Sequence, residues 1–66
     1  MPIGSFHSET GLLLRQRGRL ILQRDNGGRW RLEADAETEQ YVGQRVEIEG
    51  IRSGFDVLDV VRLGPC

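Results

Sequence analysis

From Gly43 to Leu63 the chain reads GQRVEIEGIRSGFDVLDVVRL, and its first part alternates charged and apolar residues without a break. Between Arg45 and Gly50, Arg45, Glu47 and Glu49 fall on one side and Val46 and Ile48 on the other, as a strand with one wet and one buried face requires. Ile51-Arg52-Ser53-Gly54 supplies a reversal. The returning run, Phe55 to Leu63, is rich in Val and Leu but breaks alternation at Val57-Leu58 and again at Val60-Val61, which points to a bulge or to a strand covered on both faces. Phe55, Leu58 and Val60 are expected inward. This hairpin is the frame to which the rest of the chain is fitted.

Three further strands precede it. Gly11 to Arg15 forms the first, with Leu13 in the core; Gln16-Arg17-Gly18 turns the chain; and Arg19 to Arg24 returns with Leu20 and Leu22 on one face and Arg19, Ile21 and Gln23 on the other. Asp25-Asn26-Gly27-Gly28 is the next turn, followed by a third strand from Arg29 to Ala34. A two-residue Asn-Gly loop would set Gln23 opposite Trp30. A three-residue loop, Asp25 to Gly27, instead pairs Leu22 with Trp30 and Leu20 with Leu32, and burial favours it, with Gly27 in the left-handed conformation. Asp35 is placed to cap a short helix, Ala36 to Val42, which Gly43 ends, so that Tyr41 and Val42 press on the open end of the sheet. Residues 1–10 lack periodicity and read as a loose N-terminal arm carrying a solvated His7.

The order is therefore β-β-β-α-β-β within 11–64, a single domain. That is the order of the five-stranded OB-like barrel, mainly β with one short helix. An SH3-like barrel is the alternative, but it would place its helical turn before the last strand alone. Trp30, Leu20, Leu22, Leu32, Val46, Ile48, Leu58 and Val60 form the expected core. With 66 residues, such a chain buries only about 60% of the surface its unfolded form exposes, so its stability is modest.

Charge is unevenly spread. Between Gly11 and Arg31 six arginines stand against Asp25 alone, a net +5, whereas from Leu32 to Cys66 three arginines stand against eight acids, a net −5. All nine basic residues are arginine, a side chain suited to forked recognition of phosphate or guanine and one that GC-rich coding also favours. The sole thiol, Cys66, is terminal, and His7 has no Cys, Asp or Glu at ligand spacing, so no metal or cofactor is expected. Glu47 and Glu49 lie on the charged face of an alternating strand, where a solvated role is expected, and Gly27-Gly28 leads into a strand rather than a phosphate-binding helix. An enzyme is not expected. No apolar run spans a membrane and the first ten residues lack a secretion signal, so a cytoplasmic protein with no membrane partner is expected.

Thr10 to Arg15, Gly28 to Leu32, Gly43 to Gly50 and Ser53 to Val60 resemble a family of short uncharacterised proteins from sphingomonad-type alphaproteobacteria, a domain of unknown function. The resemblance runs from Thr10 to Leu63. It implies a small β-barrel and, the family having no established activity, offers no catalytic residues to carry over; Val61 departs from the acidic residue associated with that position.

Two functions of different class follow. The first is a binding module for single-stranded nucleic acid, weak and electrostatic, using Arg17 and Arg52 in the loops and Arg19, Arg29 and Arg31 on the face of the second and third strands. It is short of stacking groups, because Trp30, Tyr41 and Phe55 are assigned to the core and Phe6 to the arm. The second is a self-assembling or protein-interaction module, a homo-oligomer or the partner of an acidic protein, in which a basic half meets an acidic one and Leu12, Ile21 and Val61 are spare apolar groups.

Overall fold

A computed structural model describes residues 3–66. Five strands, β1 (Phe6–Gln16), β2 (Arg19–Arg24), β3 (Arg29–Glu33), β4 (Arg45–Arg52) and β5 (Val57–Pro65), form one sheet that closes into a ring in the order β1-β2-β3-β5-β4, with a 3₁₀ helix, Ala36–Tyr41, between β3 and β4. All neighbours are antiparallel except β3 and β5, which run parallel and close the ring. No helix among the described residues is long and apolar enough to cross a membrane.

The turns are set by local chemistry. Arg17 (φ 54°) and Gly18 (φ 78°) both hold positive φ, the conformation of a two-residue type I′ hairpin, which joins β1 to β2 with Gln16 opposite Arg19. Gly27 (φ 98°) takes the left-handed position of a three-residue loop, and Leu22 pairs with Trp30 and Leu20 with Leu32, the register expected from burial. The 3₁₀ helix begins differently. Asp35 makes no side-chain capping hydrogen bond; its backbone carbonyl accepts from Thr38 N instead, at 3.0 Å.

β1 is the longest strand because it serves two partners. Gly11 to Gln16 pair with β2, while Phe6 to Leu12 pair with β4. The residues expected in a loose arm are thus partly structural: Phe6 to Thr10 complete the seam with β4, and only Met1 and Pro2 of that arm lie outside the described residues. At the crossover between partners the backbones approach so closely that a Cβ on Gly11 would sit 2.1 Å from the Gln23 carbonyl oxygen.

Seven buried residues form the core: Leu13, Leu22, Trp30, Leu32, Val46, Ile48 and Leu58, with Leu20, Tyr41, Val42, Val60 and Leu63 packed against them. Each alternates inward along its strand, so the apolar side chains meet inside the ring. Two expectations fail here. Ile21 is buried rather than spare, lying between Leu14 and Arg31 in the outward row of the sheet. Phe55 is 86% exposed. The parallel register sets Leu58 beside Leu32 and Val57 beside Arg31, so Leu58 and Val60 turn inward while Phe55, in the loop, does not. The irregularity in the last hairpin lies further on. Glu49 pairs with Arg62 and Gly50 with Val60, leaving Val61 as the extra residue of a bulge, 62% exposed.

Candidate nucleic-acid interface

The five candidate arginines separate into two groups. Arg17, Arg19 and Arg29 are exposed, on the β1–β2 turn and the outward faces of β2 and β3, and carry no ion pair or side-chain hydrogen bond among the described residues. Arg31 and Arg52 are engaged. Arg31 donates from Nε and one terminal nitrogen to Asp56 Oδ1, at 3.0 and 2.8 Å. Arg52 donates from Nε to the Gly54 carbonyl at 2.9 Å and from a terminal nitrogen to the Phe55 carbonyl at 2.7 Å. Arg52 also lies over the Phe55 ring, its Cζ 5.8 Å from the centroid.

A shallow cleft of about 360 Å³ runs along β2, β3 and the start of the 3₁₀ helix. Arg15, Arg19 and Arg31 line it, but so do Glu33, Asp35 and Glu39, and Arg15 is ion-paired with Glu39. The cleft is therefore electrically mixed rather than an anion pocket. The sequence's division into basic and acidic halves is likewise bridged by the fold, since Arg15–Glu39 and Arg31–Asp56 each join one half to the other. On the acidic side Arg45 pairs with Asp25, which, with a smaller contribution from Cys66, raises the guanidinium pKa above its ordinary value.

His7 is not solvated. It is 6% exposed, its ring 5.0 Å from that of Trp30 and tilted by 56°, with Ser5 Oγ 2.9 Å from Nε2 and a Glu9 carboxylate oxygen 3.6 Å from Nδ1. Glu9 also faces Arg24 at 3.8 Å. The far end of the ring from the 3₁₀ helix is thus filled by polar groups around Trp30, whose Nε1 is buried without a hydrogen-bond partner. The signal for this was present in the sequence as period-two spacing, His7, Glu9, Gly11, Leu13, hidden by the polar character of its first members. Among the described residues no three His, Cys, Asp or Glu side chains gather as a metal site.

Exposed aromatics are the other omission. Phe6, on β1, is 58% exposed and Phe55 86%, so two of the four aromatic rings face solvent. Phe6 lies at the β4 side of the ring, opposite Ile51, and Phe55 in the loop before β5.

A family model matches residues 10–66, and its description is protein of unknown function (DUF5818). The chain belongs to that family. The match covers every strand except the first residues of β1, so the ring described above is the family's domain together with the Phe6–Glu9 segment of its first strand. No curated protein and no solved structure matches the chain.

Proposed function

We propose that the protein is a non-catalytic, OB-like binding module that takes single-stranded nucleic acid on the outward face of β2 and β3 and the adjoining loops. The OB-like assignment is supported by the strand order β1-β2-β3-β5-β4, the parallel β3–β5 closure and the helix between β3 and β4. The observation that carries the ligand is the set of exposed, unpartnered guanidinium groups of Arg17, Arg19 and Arg29. An unpaired exposed arginine is free to release counterions from phosphate, whereas one already bonded to a carboxylate is not. A cytoplasmic setting accords with such a ligand.

Three contacts of this kind give a log–log salt slope of roughly −2, at about 0.7 per contact on a single strand. Titration of a labelled oligonucleotide at several salt concentrations measures it. An Arg17→Glu, Arg29→Glu double variant is expected to bind more weakly with a shallower slope. Curves indistinguishable from the parent's would remove the reading.

A second reading, a self-assembling module, is favoured by the exposure of Phe6 and Val61. Light scattering after size exclusion separates it, since a 7.5 kDa species at every micromolar concentration would exclude assembly.

A further inference from the structure

We infer that Phe55 is a preorganised stacking surface for an unpaired nucleobase, and that Arg31 and Arg52 are positioning residues for its loop rather than phosphate ligands. This rests on the single-strand reading above and adds the chemical part of the ligand that the loop contacts.

The loop from Ser53 to Asp56 is held at three points. Ser53 N donates to the Val57 carbonyl at 2.9 Å and closes it; Arg52 bonds the carbonyls of Gly54 and Phe55 from one side; and Asp56 holds the Arg31 side chain from the other while its carbonyl accepts from Arg31 N at 2.8 Å. An exposed phenylalanine in a mobile loop would lose conformational freedom on binding, and that loss would offset much of the stacking gain. Here the backbone on either side of Phe55 is already fixed.

Placement follows from register. Arg31 pairs with Val57 in the parallel ladder, so the loop preceding Val57 lies at the Arg29 end of β3, and Arg29 and Arg31 share its outward face, roughly 7 Å apart along the strand. A strand whose phosphates meet Arg29 can therefore bring a base toward Phe55. The guanidinium of Arg52, over the ring at 5.8 Å, supplies a cation close to the stacked pair. An unpaired base is favoured over an apolar side chain of a protein partner because the Arg52 guanidinium lies over the ring and the loop sits at the Arg29 end of β3, cations that select a polyanion with flat, apolar faces.

The test compares a labelled oligothymidylate with an abasic strand of equal length, at low salt, by fluorescence anisotropy. The parent is expected to prefer the strand with bases. Phe55→Ala, which removes a side chain with almost no buried surface, should weaken oligothymidylate binding about 5- to 150-fold and leave abasic binding and the salt slope unchanged. Asp56→Asn, which loosens the Arg31 anchor and also frees its guanidinium, should raise abasic binding while reducing the preference for oligothymidylate over the abasic strand. Equal binding of oligothymidylate by parent and Phe55→Ala, with loss in the Arg17→Glu, Arg29→Glu variant, overturns the stacking role and leaves the electrostatic reading intact. Failure of the parent to bind either strand overturns both. A dimer that dissociates on Phe55→Ala, with unchanged oligonucleotide binding, assigns Phe55 to a contact between copies and overturns the proposal.

Discussion

At Gly11 a single methyl group decides whether β1 can serve two strands. The Cβ of an alanine there would lie 2.1 Å from the Gln23 carbonyl oxygen and 2.8 Å from its carbon, both backbone atoms that cannot rotate aside. Overpacking commonly costs about 1–3 kcal/mol, and an obstruction made of paired backbone belongs at or above the top of that range. Gly11→Ala is therefore expected to lower the melting temperature by ten degrees or more, at about 4–8 °C per kcal/mol in a domain of this size. Gly64→Ala is the control, because nothing lies within 4 Å of its Cβ; a melt near the parent's for Gly64 and a large drop for Gly11 is the expected pattern in circular dichroism. Arg17 presents the opposite case. It is the one residue other than glycine with positive φ among those described, in a turn where asparagine or glycine is favoured. Arg17→Asn is expected to raise the melting temperature by a few degrees, equivalent to about 0.5–1 kcal/mol, while removing one of the three free cations. A fall in melting temperature would mean that Arg17 makes a stabilising contact.

At the scale of the element, most of the frame was legible because alternation and turn chemistry agreed. β2 runs from Arg19 to Arg24 as alternation predicts, and the three-residue loop at Asp25 to Gly27 follows from requiring Trp30 to face Leu22. The failures have a common cause, which is that strand parity depends on partners distant in sequence. Phe55 reads as buried because it begins an apolar run, yet β5 starts only at Val57, where the parallel ladder with β3 fixes Leu58 as inward, and Phe55 is left exposed in the preceding loop. His7 looked solvated because Phe6 to Thr10 contains few apolar residues, and only pairing with β4 makes it the inward neighbour of Gly50, against Trp30. For the candidate site, the arginine positions were legible, but their partners were not. Asp56 is 25 residues from Arg31, and nothing local distinguishes the engaged arginines from the free ones.

Across the whole molecule, ring closure is unevenly supported. β1 and β4 pair from Phe6 to Leu12, and β4 and β5 from Val46 to Arg52, whereas the parallel closure runs only from Arg31 to Glu33 against Val57 to Asp59. A parallel ladder is also slightly weaker per residue than an antiparallel one. The ring should therefore open first between β3 and β5, and the groups that oppose opening are the Leu32–Leu58 contact inside and the Arg31–Asp56 pair outside. That pair is close to half exposed on both sides, so its contribution belongs with surface ion pairs, about 0.2–1 kcal/mol. Such a contribution is small against global stability but comparable with the free energy of a local opening. Asp56→Asn is accordingly expected to speed amide hydrogen exchange several-fold at Arg31 and Glu33, and to leave the amides of the β1–β4 seam near their parent rates. Exchange followed by NMR resolves the two sets. Uniform acceleration across all strands would mean that the ring opens only as a whole, and that the loop carrying Phe55 has no local equilibrium of its own.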